Sequence, residues 1–105
     1  MFELNIGRYE ESKKVISLNG EIDIYSAPDF KDNLYSAIGT CNEDVVLDCS
    51  ELSYIDSMGL GILVAALKRI KLNECNVYIK NPRANVRKLL KITGLDKVFI
   101  MEESK

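Results

Sequence analysis

The sequence predicts an α/β fold: one mixed β-sheet, antiparallel near the N-terminus with parallel βαβ units after it, packed against three helices. Three observations lead there. Phe2, Leu4 and Ile6 alternate with polar residues, the period of a half-buried strand. From residue 45 onward, short apolar runs alternate with segments of helical period, which implies right-handed crossovers between parallel strands. The chain has 105 residues, 47% apolar and 29% charged, which is enough for one compact core and too little for two. Residues 1–105 are therefore expected to form a single domain.

In chain order, the alternation of Phe2 to Ile6 resumes at Val15 to Leu18 and continues to Ile22 and Ile24. Asn19-Gly20 interrupts it, either turning a hairpin or bending one long strand. Ser26-Ala27-Pro28-Asp29 reads as an S-x-x-D cap with Pro in the first turn. Phe30, Leu34 and Ile38 then share a helical face, and Gly39 supplies a stop. Val45-Val46-Leu47 is apolar without alternation, as in a central strand covered on both faces. Asp48 is expected to end that strand and to hold the following turn by local hydrogen bonds. Leu60, Leu63, Val64, Leu67 and Ile70 mark a second helix from about Ser57 to Asn73. Val77-Tyr78-Ile79 gives another strand. Asn81-Pro82 opens a third helix with Val86, Leu89 and Leu90 inward and Gly94 just past its end. Val98, Phe99 and Ile100 form a last short strand.

Composition excludes several functions. The chain lacks histidine, so a Ser-His-Asp triad, a Cys-His pair, a His-ligated zinc and an imidazole pH switch cannot form within it. Lys plus Arg count 14 against 16 Asp plus Glu, a net charge of −2, which argues against nucleic acid as the main ligand. Cys41, Cys49 and Cys75 have no paired spacing for zinc, and Cys49, at a strand end, reads as a small buried hydrophobe. The first residues lack the features of a signal peptide, and no apolar run approaches the roughly 20 residues that cross a bilayer. A reduced, cytoplasmic protein without a membrane association is expected.

The segment Tyr54 to Gly61, YIDSMGLG, is unusual. Asp56 or Ser57 would cap the second helix. Gly59 and Gly61 then fall inside its first turns, where each costs about 1 kcal/mol against alanine. One reading is that the glycines let the helix lie close to its neighbours, another that Gly59 keeps the surface around Ser57 bare for a macromolecular partner; the two are compatible, since one glycine can face inward and the other outward. Ser57 has no base to activate it, since Lys68 lies about three helical turns away. A hydroxyl at a helix N-terminus is nevertheless well placed to carry a phosphoryl group, because free N–H groups and the helix dipole favour the anion. Ser57 is thus a candidate substrate, not a catalyst. In Gly20-Glu21-Ile22-Asp23, the two carboxylates are expected to face solvent while Ile22 and Ile24 face inward. Arg83, Arg87 and Lys91 form a basic stripe on the third helix, read as a solvated face.

Together, GEIDIYSAP (Gly20 to Pro28), VVLDCSELSYIDSMGLG (Val45 to Gly61) and KLLKITGLDKVF (Lys88 to Phe99) resemble STAS-domain proteins, specifically bacterial anti-sigma factor antagonists. The resemblance spans essentially the whole chain and leans towards antagonists of the general stress response over the sporulation type. It implies partner switching by a protein that is not itself an enzyme and needs no cofactor. The unphosphorylated antagonist binds an anti-sigma factor, a serine kinase of the GHKL ATPase type, and frees the sigma factor. The kinase then phosphorylates the motif serine, here Ser57, and a metal-dependent serine phosphatase reverses the modification. Asp56 and Ser57 match the phosphosite pair, Glu21, Asp23 and Ser26 fall in the neighbouring loop, and Met58, Gly59 and Leu60 match the helix start that docks on the kinase. Met58 stands where Ser, Ala or Thr is more usual, which bears on partner choice. The free protein is expected to be a monomer. The alternative implied by the same resemblance is an accessory STAS subunit of a membrane transporter ATPase, without phosphorylation.

Overall fold

A computed structural model describes residues 2–10, 13–39 and 43–102, with residues 8–10 described as backbone only. Cys41 lies outside the described residues. Strand β1 (Phe2–Glu10) pairs antiparallel with β2 (Lys13–Ile22), with Leu4 opposite Leu18 and Ile6 opposite Ile16. Helix α1 (Ala27–Ile38) follows, then β3 (Val45–Ile55), α2 (Ser57–Lys71), β4 (Val77–Lys80), α3 (Ala84–Ile92), a 3-10 turn (Leu95–Lys97) and β5 (Ile100–Glu102). The described strands lie in the sheet in sequence order, and every pairing after β1–β2 is parallel. The expected mixed sheet with three helices is present.

One cluster of buried side chains joins sheet and helices. Ile16, Leu18 and Ile22 of β2 meet Phe30 and Leu34 of α1, Leu60, Leu63 and Leu67 of α2, and Val86 and Leu90 of α3. Val15 and Val46, paired with each other, are also buried but belong to the opposite face, since adjacent strand residues point opposite ways. That is why Val45-Val46-Leu47 does not alternate.

Several boundaries differ from the sequence reading, each for a physical reason. Asn19-Gly20 bends a continuous β2: Gly20 takes φ +89° and the register against β3 shifts beside it. Strand β3 does not stop at Asp48. Ser17 and Asn19 of β2 face Asp48 and Glu51 of β3, and Gly20 and Glu21 face Leu52 and Tyr54, so β3 accommodates an extra residue twice. These bulges keep Cys49, Leu52 and Ile55 all buried although their spacing is not two. Asp48 Oδ1 does accept local hydrogen bonds, from Ser50 N–H (3.1 Å) and Ser50 Oγ (2.8 Å), but they hold a bulge instead of a turn. Cys49 is therefore in mid-strand. Burial, and secondarily the nearby Asp48 charge, pushes its thiol up to about 12, which leaves it inert.

Helix α3 starts two residues after Pro82, because Asn81 adopts a left-handed φ of +52° and Arg83 is still extended. Gly94, at φ +77°, ends that segment as expected. Val98 and Phe99 follow the 3-10 turn, and the last strand begins only at Ile100. Within the basic stripe, Arg83 Nε donates to Ser50 O at 3.0 Å and Nη2 pairs with Glu51 at 3.2 Å, tying α3 to β3.

Candidate functional site

The site is built where β2 and β3, as parallel neighbours, both release the chain at the same end of the sheet. Their exits are stitched together by Asp56 N–H donating to Ile22 O at 3.1 Å. The β2–α1 loop and the start of α2 are thereby fixed side by side.

The cap of α2 is Asp56, in extended conformation, with Oδ1 accepting from Gly59 N–H at 3.0 Å. Ser57 is the first helical residue and is exposed. Of the four N–H groups that a helix start leaves without intrahelical partners, Asp56 donates to Ile22 O and Gly59 to the cap carboxylate. Those of Ser57 and Met58 remain open donors next to the Ser57 hydroxyl. An anion attached there would meet two N–H groups and the positive end of a 15-residue helix.

The two glycines face opposite ways, one inward and one outward. A Cβ on Gly59 would lie 2.7 Å from Ile55 Cγ1 and 2.8 Å from Ile22 Cγ2, so this glycine seats the helix on the sheet. A Cβ on Gly61 would have nothing within 4 Å, so this glycine faces outward. Leu60 is also buried in the core. Gly59 and Leu60 thus lie beneath the surface at the helix start, whereas Ser57 and Met58 (50% exposed) are on it.

Across the stitch, Glu21 is exposed and Asp23 organises the loop. Asp23 Oδ1 accepts from the N–H groups of Tyr25 and Ser26, both at 3.0 Å, and lies 3.2 Å from Ser26 Oγ. Ser26 Oγ in turn accepts from Asp23 N–H at 2.9 Å. The expected Ser26 side-chain cap of α1 is absent because the hydroxyl is turned back to Asp23, and only Ser26 O serves the helix, accepting from Phe30 N–H. The backbone hydrogen bond from Ser26 leads the causes that hold the Asp23 carboxyl below its ordinary value.

Ile24 does not point inward. The chain leaves the strand at Asp23, strand alternation ends with it, and Ile24 is 58% exposed beside Tyr25 at 89%. With Tyr54 and Met58, also exposed, they place apolar side chains on both segments of the site. Tyr25 and Tyr54 carry no signal of their own in the sequence, where only their adjacency to Asp23 and Asp56 could have marked them. A groove of about 780 Å³ runs from Asp23, Tyr25 and Ser26 to Glu3 of β1 and Asp29 and Asp32 of α1. Its lining has carboxylates and no Lys or Arg, which suits no phosphate ligand, and it does not include Ser57.

Residues 7–105 match the STAS domain family, and the chain belongs to it. It is similar to the anti-sigma-B factor antagonist of Staphylococcus epidermidis, with 32% identity over 88 residues, covering 84% of this chain and 82% of that protein. Among solved structures, it shares its fold with the anti-sigma factor antagonist SpoIIAA in its unphosphorylated form: 22% identity, TM-score 0.79, 98% of this chain and 89% of that one. The phosphorylated form of the Bacillus cell fate determinant SpoIIAA matches at 21% identity and TM-score 0.73, over 98% and 92% of the two chains. Among the described residues, no helix is long and apolar enough to cross a membrane.

Proposed function

We propose that this protein is an anti-sigma factor antagonist, a regulatory binding protein and not an enzyme, switched by phosphorylation of Ser57. In its unphosphorylated form it binds an anti-sigma factor that is a GHKL-type serine kinase, and so frees a sigma factor. The name of the staphylococcal relative favours a stress-response sigma factor. The kinase transfers the γ-phosphoryl group of ATP to Ser57 Oγ, which gives up its proton as ADP leaves. A metal-dependent serine phosphatase hydrolyses the phosphoserine.

The observation that carries this reading is the exposed Ser57 hydroxyl beside two open N–H donors, within a surface that also presents Ile24, Tyr25, Tyr54 and Met58. Phosphorylation takes the net charge from −2 to about −3.5 or −4, next to Asp56 and across the stitch from Asp23. A partner surface fitted to apolar side chains and a neutral serine then faces an added dianion that it must desolvate. The domain tolerates the same group at a helix N-terminus, so binding is lost without unfolding.

The test is intact-mass spectrometry after incubation with the cognate kinase and ATP, with Ser57→Ala alongside. One added phosphate is expected on the wild type and none on the variant. In titrations, Ser57→Ala should bind the kinase and Ser57→Asp should bind poorly; equal affinities sink the proposal. A stable complex with a transporter ATPase and no phosphorylation would establish the accessory-subunit reading instead.

A further inference from the structure

The far end of α2 carries a second surface, separate from the Ser57 site. Val64, Leu67, Lys68 and Lys71 form one ridge of the helix at i, i+3, i+4 and i+7, about two turns long. Leu95 and Val98, from the 3-10 turn and the residue just after it, form the opposite wall, and Leu72 closes the end. Between them lies an open groove of about 550 Å³. Leu72 is 84% exposed and Val98 47%, an unusual degree of exposure for aliphatic side chains lining one groove. Every other lining residue is aliphatic or lysine, and none is acidic.

The charges choose the occupant. A second copy packed parallel about a two-fold axis would bring Lys68 and Lys71 against their own counterparts, and one packed antiparallel would set them over Val64 and Leu67 with no carboxylate to pair with. An enclosed small-molecule site would surround its ligand and direct several polar groups at it, whereas this groove is open and offers two ammonium groups at its rim. A helix laid along α2 fits both features. Its aliphatic side chains at i, i+3 and i+4 pack between the α2 ridge and the Leu95–Val98 wall, and carboxylates beside them reach Lys68 and Lys71.

We infer that this groove docks an acidic amphipathic helix of a second partner protein. Ser57 and Lys71 stand at opposite ends of α2, about 21 Å apart along its axis, so the groove is occupied independently of the Ser57 partner. Docking there does not require phosphorylation. It gives the protein two separate attachment points on one helix.

The probe is a synthetic helical peptide of about 18 residues, with leucines at i, i+3, i+4 and i+7 and glutamates beside them, titrated into the isotope-labelled full chain by NMR. A twin peptide carries lysine in place of each glutamate. Amide shifts confined to residues 64–72 and 95–98 are expected with the acidic peptide. Binding should weaken at least roughly tenfold with the lysine twin, and by a similar factor in the Lys68→Glu/Lys71→Glu variant. Both lysines are exposed, so the variant should fold, and an unchanged amide spectrum for β2 and β3 checks that it does. No shift at about 1 mM acidic peptide overturns the inference, as does equal binding of the two peptides. So does a concentration-dependent dimer that Leu72→Glu abolishes, or binding of dodecanoate in the groove that the peptide fails to displace.

Discussion

Position 59 has no room for a methyl group. The carbons that a Cβ there would meet at 2.7 and 2.8 Å belong to Ile55 and Ile22, themselves packed in the core and unable to swing into solvent. Gly59→Ala should therefore destabilise the protein by about 1–3 kcal/mol, the usual range for overpacking. Gly61→Ala meets nothing and should stabilise it by about 0.5–1 kcal/mol. Urea denaturation of the two variants checks both signs, and equal effects would contradict the inward and outward assignment. Asp23 makes a prediction of a different kind. Its carboxyl is held below the ordinary aspartate value of 3.8, chiefly by the Ser26 N–H. A depressed carboxylate pKa supports the folded loop above the unfolded value and loses that support as pH falls through the folded value. The Tyr25 and Ser26 amide resonances should thus shift as the pH falls, with a midpoint below 3.8. A midpoint at or above it would refute the loop geometry.

Helix α2 depends on its cap. Asp56→Ala should cost about 1 kcal/mol and Asp56→Asn much less, since the amide oxygen still accepts from Gly59 N–H. Thermal or urea unfolding measures the difference. The helices were largely legible in the sequence, because residues such as Phe30 and Leu34, or Leu60 and Leu63, keep the helical period that their burial requires. So was β2, and so was the start of α2 within YIDSMGLG, where Asp56 is the cap and Gly59 packs on the sheet. The extent of β3 was not legible. Two bulges break its alternation, and a bulge is set by pairing with β2, which no local pattern encodes. Position 24 failed for a related reason: alternation assigns a side only while the strand lasts, and the chain turns away at Asp23. The Ser26 cap failed because Asp23, three residues upstream, competes for the hydroxyl.

At the scale of the molecule, stability rests on the single core that joins three helices to the sheet. Phe30 is fully buried and meets the ring of Phe2 edge-on at 5.5 Å. Phe30→Ala should cost about 3–5 kcal/mol, whereas Leu72→Ala, at the exposed groove, should change stability by less than about 0.5 kcal/mol. Ser57→Asp should leave the melting temperature unchanged or raise it by a few degrees, because a negative charge at a helix N-terminus is favourable by about 0.3–1 kcal/mol. A clear fall would show that the modified site damages the fold.

Helix α2 carries no charged side chain from Ser57 to Leu67, then Lys68, Arg69 and Lys71 within its last turn, while Glu21, Asp23 and Asp56 gather at its other end. Helix α2 is therefore electrically polarised along its own axis, although Glu43, Asp44 and Glu74 gather around Cys75 just past its lysine end. Long-range fields orient approaching proteins before any contact forms, and salt weakens this within a Debye length of about 8 Å at physiological ionic strength. Close to α2, a basic surface is drawn towards the Asp56 end and an acidic one towards Lys68 and Lys71, and because nearby carboxylates offset the lysines this steering acts only within about a Debye length of the helix.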